Sequence, residues 1–368
     1  MSLKVLQGFI GLILVLISLI AVGRAAEPEP FSMNKGVPAR LAADYVHAVI
    51  EAGRTAYSHY IVDRLDRDRS LKATENWQEE NTLLLPAQFL KLSSSVTNSK
   101  GIGMRYRLGS VWPLNPDNLP KSETEKSGLL EVIRNPQKPF TWIVQREGMW
   151  YYQAIYPDKA VSQTCVECHN HHPDSPKTDF KLGDVMGGIV IDMPLGSRFQ
   201  KKPDESILIP PEVVSDYVHA VLESDRTVYS RFVVQHLENG AVLTSRSDWQ
   251  AARTLMLPAQ FLLKVLEITT RQNLGLDFSL ISLWPINPRN GPTSEFERKA
   301  LEWVGIHPIR PYISWTQVGK NFYFRSVYPD HAISSACVEC HNQHPDSPRR
   351  DFKLNDVMGA VVVTFPLH

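Results

Sequence analysis

Cys165-Val166-Glu167-Cys168-His169 and Cys337-Val338-Glu339-Cys340-His341 are two occurrences of one pattern, Cys-x-x-Cys-His. At this spacing two thiols can add to the two vinyl groups of a haem, and the next residue sets an imidazole under the iron. The expected cofactors are therefore two covalently bound haem c groups. One is held by Cys165 and Cys168 with His169 as proximal iron ligand, the other by Cys337 and Cys340 with His341. These four thiols are all the cysteines in the 368-residue chain, so none is left for a structural disulfide or a separate nucleophile. Two other chemistries compete. Cys165, Cys168 and His172, with Cys337, Cys340 and His344, have a spacing that a zinc knuckle uses. Paired thiols in an oxidising compartment also close disulfides. The histidine directly after the second cysteine, in both copies, favours haem.

The opposite face of each iron needs its own ligand, and the sequence offers several. His47 and His219 occupy matched helical positions and would give bis-histidine iron; a hydrogen-bonded core role is the alternative. Met186 and Met358 are also matched and would give His/Met iron of raised potential, or else pack a core. Met256 has Leu84 as its counterpart, so it would serve one haem only. His172 and His344 lie too close to the proximal histidine to cross to the far side. An open position would leave the iron free to bind a diatomic gas. Arg54 and Arg226 are candidate propionate contacts, since guanidinium grips carboxylates at two points; the alternative pairs them with Glu51 and Glu223. Trp112, Trp284, Tyr151 and Tyr323 are expected to pack a sheet.

The elements that position these residues come in duplicate. The motifs stand 172 residues apart, and the same shift, without a gap, aligns the rest of the chain. Asp44-Tyr45-Val46-His47-Ala48-Val49 matches Asp216-Tyr217-Val218-His219-Ala220-Val221, and Leu85-Pro86-Ala87-Gln88-Phe89-Leu90 matches Leu257-Pro258-Ala259-Gln260-Phe261-Leu262. Tyr156-Pro157-Asp158 matches Tyr328-Pro329-Asp330. Such self-similarity predicts two copies of one fold. The expected division is residues 1–26 as signal or anchor, 40–195 and 213–368 as domains, and a charged, proline-rich linker over 196–212. Within a copy, apolar spacing predicts a helix from Ala42 to Leu65. A second is expected over Trp77–Val96, broken or kinked at Pro86. Alternating runs predict strands around Tyr106–Trp112, Phe140–Val144, Met149–Ile155 and Met186–Met193, with a hairpin turn at Glu147-Gly148. The fold class is α+β: helices, then an antiparallel sheet, twice. The motif is expected in an irregular segment between the last two strands.

Basic and acidic residues balance at 39 each and form no stripe, which argues against a nucleic-acid partner. Lys4 precedes an apolar stretch from Val5 to Val22, followed by Gly23, Arg24 and Ala25. A short positive start, an apolar core and small residues predict export, with the stretch cleaved or retained as a membrane anchor. The folded part is thus expected in the periplasm.

Each copy resembles the periplasmic c-type-haem sensor domain with a PAS-like fold, found alone in photosynthetic bacteria and in front of histidine kinases. The resemblance is carried by Arg54, Tyr57, Trp112-Pro113-Leu114-Asn115-Pro116, Tyr156-Pro157, the motif itself, and Asp179 to Gly188. The second copy has the equivalents Arg226, Tyr229, Trp284 to Pro288, Tyr328-Pro329 and Asp351 to Gly359. Some members of that family place a cysteine outside the motif on the second axial position; this chain has none. The resemblance implies a redox or gas sensor read out by an unidentified signalling or redox partner. A dihaem cytochrome that passes electrons between a donor and an acceptor is the alternative. A dihaem peroxidase is a third reading, and the near-equal copies argue against it.

Overall fold

The computed structural model describes residues 36–200 and 206–367. The expected export segment lies outside them. No helix among the described residues is long and apolar enough to cross a membrane.

Each copy runs through the same elements. In the first these are α1 (Ala39–Tyr57), α2 (Pro86–Ser99), β1 (Arg105–Gly109), α3 (Glu123–Arg134), β2 (Phe140–Arg146), β3 (Met149–Lys159), α4 (Gln163–His171) and β4 (Val185–Gly196). In the second they are α5 (Pro211–Val228), α6 (Pro258–Thr270), β5 (Asp277–Ile281), α7 (Glu295–Ile306), β6 (Tyr312–Val318), β7 (Asn321–His331), α8 (Ser335–Gln343) and β8 (Val357–Leu367). The sheets are antiparallel, ordered β1-β4-β3-β2 and β5-β8-β7-β6. The fold is the expected α+β pair.

Local chemistry explains the boundaries. Past α1 the helix continues through a π-type turn at Ser58–Val62 into Asp63–Arg67. The expected second helix is instead divided. A single turn at Trp77–Glu80 ends where Asn81 adopts left-handed backbone, and a new helix starts with Pro86 at its first position. There the missing N–H of proline costs nothing, so Pro86 opens a helix where a kink was expected. Glu147 and Gly148 both take positive φ, 51° and 76°, which is the backbone that a two-residue hairpin demands. Helix α3 was not anticipated. It is announced by Ser122, whose hydroxyl accepts the Glu125 N–H at 3.1 Å. The motif sits on the regular helix α4, not in irregular chain, because Ser162 provides its N-cap.

The two copies do not keep separate cores. Tyr45, Val49, Tyr57 and Phe89 from the first share one buried cluster with Tyr217, Val221, Tyr229 and Phe261 from the second. Tyr57 stacks on Phe89 at 4.4 Å and Tyr229 on Phe261 at 4.3 Å, while Phe89 and Phe261 meet edge to face at 5.9 Å. Thus α1, α2, α5 and α6 form a four-helix centre with a sheet at either side. Part of the expected linker is structural too: Leu208–Ile209 pairs antiparallel with Val37–Pro38. Smaller clusters sit on the outer sheet faces, under α3 (Leu129, Val132, Ile155, Val190) and under α7 (Leu301, Val304, Val327, Val362).

At this centre Gly53 on α1 faces Asp225 on α5. A Cβ at position 53 would lie 2.0 Å from Asp225 Oδ2. Gly53→Val is therefore expected to overpack the joint and cost roughly 1–3 kcal/mol or more, read as a lower urea midpoint. An unchanged midpoint would show that the joint yields.

Candidate functional site

The motif helices are fixed by hydrogen bonds that repeat in both copies. Asn170 clamps the following loop at two points, donating to Phe180 O and accepting from Phe180 N, each at 2.9 Å. Asn342 does the same to Phe352, at 2.9 and 3.0 Å. The clamp sets a phenyl ring against the imidazole: His169 meets Phe180 at 5.7 Å and His341 meets Phe352 at 5.8 Å, both edge to face. Each imidazole is thus held by packing. Its Nδ1 is buried without a hydrogen bond in either copy.

Cys165, Cys168 and His169 line a cavity of about 820 Å³ between α2, β1 and α4. That lies within the range of sites that enclose small ligands and cofactors. Met186 and Trp112 also line it, together with the α2 residues Lys91, Ser94 and Ser95. All four cysteines are free thiols. Burial pushes the Cys168 thiol up, helped by Glu75 and Cys165, and burial with Cys337 does the same for Cys340. Burial also lowers His169 and His341, partly offset by Asp158 and Asp330. Neutral thiols and neutral imidazoles suit thioether formation and iron ligation. The residues that a zinc site would recruit are engaged elsewhere: His172 Nδ1 accepts the Asp174 N–H at 3.1 Å and its Nε2 faces Glu75 at 3.2 Å. Among the described residues no group of three or more His, Cys, Asp or Glu side chains is placed to hold a metal.

The other candidate ligands fall in different places. Met186 packs with Ala160, Val166, Phe180 and Cys165 at the cavity floor, and Met358 has the matching place beside Phe352 and Cys337. Met256 is buried in the shared helical centre, where its carbonyl accepts from Tyr229. That withdraws it as a ligand candidate. His47 stacks on Tyr156 at 3.9 Å and His219 on Tyr328 at 3.8 Å. Burial drives them to about 3 and about 4, so both rings are neutral. His47 is not part of the cavity wall.

Arg54 is part of that wall, but its partner is not the expected Glu51. It pairs with Asp158 at 2.7 Å and donates to the Lys159 carbonyl at 3.2 Å. Arg226 likewise pairs with Asp330, and Glu223 is taken by Lys100 of the first copy at 2.6 Å. Asp158, which also lines the cavity, is the residue that sequence reasoning passed over. Its signal was the repeated Tyr-Pro-Asp, read only as a repeat match.

The second copy does not repeat all the residues of this wall. Lys91, Arg105, Arg107 and Arg146 of the first wall correspond to Leu263, Asp277, Ser279 and Val318 in the second copy. This inequality removes the symmetry that counted against a dihaem peroxidase. Of the carboxylates that line the first cavity, Glu75 faces His172, while Asp117, Asp158 and Asp192 pair with Lys91, Arg54 and Arg146.

No curated protein and no solved structure matches the chain. A family model described as Tll0287-like, Tll0287, matches residues 38–194 and again residues 210–366.

Proposed function

The chain belongs to the Tll0287-like family, with its domain twice in tandem, and on that premise we propose that it is a periplasmic dihaem c-type protein of redox or gas sensing. The observation that carries this reading is the 820 Å³ cavity that brings Cys165, Cys168 and His169 to one wall. Its residues fit the group: two free thiols for the vinyl carbons, and an imidazole whose Nδ1 is buried. When bound, haem would supply reversible one-electron chemistry and a site for small gases. The chain's own residues do the rest. Phe180 and Asn170 hold the His169 ring, and Met186 with Trp112 gives an apolar floor. Arg54 and Asp158 place a compensated ion pair at the wall, so Arg54 is a weaker propionate partner than the sequence suggested. Sensing is favoured over plain electron transfer by the family match; Met186 on the same wall keeps His/Met iron, and with it the electron-transfer reading, as the alternative.

The test is to produce the full chain with the bacterial cytochrome c assembly machinery. Red protein carrying the mass of two haems is expected, and Cys165→Ala with Cys168→Ala should lose one of them. Carbon monoxide uptake by the ferrous protein supports sensing; indifference to it would move the role to electron transfer. Colourless protein of bare polypeptide mass would overturn the reading, and a tightly held zinc would name the replacement.

A further inference from the structure

Asp225 is a buried acid of the helical centre, and among the described residues no cation pairs with it. It is 4% exposed, and its Oδ2 makes no hydrogen bond. The charged residues next to it on α5 turn elsewhere, Glu223 to Lys100 and Arg226 to Asp330. Facing Asp225 are Gly53 from α1, Ser93 from α2 and Tyr106 from β1, of which Tyr106 alone titrates.

These neighbours lead to the first cleft. Tyr106 and Ser94 are part of its wall, and Ser94 donates to the Tyr106 carbonyl. Behind that wall Thr97 donates to Ser224 at 2.9 Å, across the joint between copies. The hydroxyls of Ser93 and Tyr106 are buried with no partner of ordinary hydrogen-bond geometry. The mirror positions hold nothing of the kind. Ser93, Tyr106, Ser224 and Asp225 correspond to Val265, Phe278, Ala52 and Gly53. A buried polar cluster thus backs the first cleft, and the second copy has no residues to repeat it. An unpaired buried acid is costly, and a fold that carries one on a single side gives it a site-specific setting.

We infer that Asp225, supplied by the second copy, is the proton-accepting residue of the first cleft, taking one proton as one electron enters the group held by Cys165, Cys168 and His169. This rests on the haem reading above. The electron comes from an external one-electron donor and the proton from solvent. One O–H bond forms at the carboxylate, no bond breaks, and the added negative charge is matched by the added positive one. The physical cause is Coulombic. An extra electron behind the Tyr106 wall makes the carboxylate harder to ionise in a medium of low dielectric. Burial already lifts Asp225 to about 8, within the working range of such a coupling.

The experiment is a spectroelectrochemical titration of the haem-loaded full chain carrying Cys337→Ala and Cys340→Ala, from about pH 6 to about pH 9. The midpoint potential is expected to fall with rising pH, by at most the ~59 mV that a tenfold change is worth for one electron. Asp225→Asn should give a flat line near the acid value. Asp225→Gly, which copies the residue at position 53, should also be flat and covers a failure of the first variant to fold. The reciprocal chain, with Cys165→Ala and Cys168→Ala, should show no such slope. A flat response without either Asp225 substitution, or a slope that survives both, would overturn the inference. Colourless protein would instead overturn the haem reading, and is seen before any titration.

Discussion

Arg54→Met is expected to destabilise the folded chain by about 3–5 kcal/mol at neutral pH, because it leaves Asp158 buried without its cation. Arg54 is 6% exposed and holds Asp158 at 2.7 Å. Burial already raises the Asp158 carboxyl, and Arg54 is the main influence that lowers it. Without the guanidinium the carboxyl rises further and binds a proton that the unfolded chain releases above about pH 4. The loss should therefore grow as pH rises from about 4 toward 7. Urea unfolding at the two ends of that range checks both size and direction. Adding Asp158→Asn to Arg54→Met should recover much of the loss, since an uncharged pair leaves no buried ion. Equal losses at both pH values would mean that the arginine acts through packing alone.

The second large effect is a pH dependence with the opposite sign to that of most acids. Burial raises Asp225 from 3.8 to about 8. Its protonated form is favoured in the folded state, so the stability tied to this proton is complete below about pH 4. It is lost as pH climbs to about 8 and is absent above that. At about 1.36 kcal/mol per unit the full swing is on the order of 6 kcal/mol at most. Asp225→Asn keeps shape and neutrality, so it should flatten this part of the curve and raise stability most at alkaline pH. Urea midpoints across about pH 5 to 9 measure it directly. Identical curves for the two proteins would show that the carboxyl ionises without penalty.

Much of this architecture could be read before any coordinates. A gapless self-match predicted two like halves, and Glu147-Gly148 between alternating apolar runs predicted the hairpin. What escaped has physical causes. A proline in an apolar run reads equally as a kink or a start, and only the left-handed Asn81 before it decides. Helix α3 does carry an apolar face at Gly128, Leu129 and Val132, and with its Ser122 cap it could have been read. Cys165 to His169 looked irregular because short polar helices have little periodicity of their own. The Arg54–Asp158 pair joins residues from opposite ends of the first copy, and no local pattern announces such a contact. Nor does one copy's sequence reveal that α1 is covered on two sides. Ala42, Ala43, Val46, Ala48 and Ala52 simply look like excess small apolar residues until α5 and α6 are laid against them.

That mutual cover bears on how the polypeptide is made. A ribosome releases α1 and α2 long before α5 and α6 exist, so a nascent first half presents greasy helix faces to whatever is near. Severing the chain inside 197–207 should leave each half sticky and prone to pair with its like. Heating the whole chain should melt both halves in a single step.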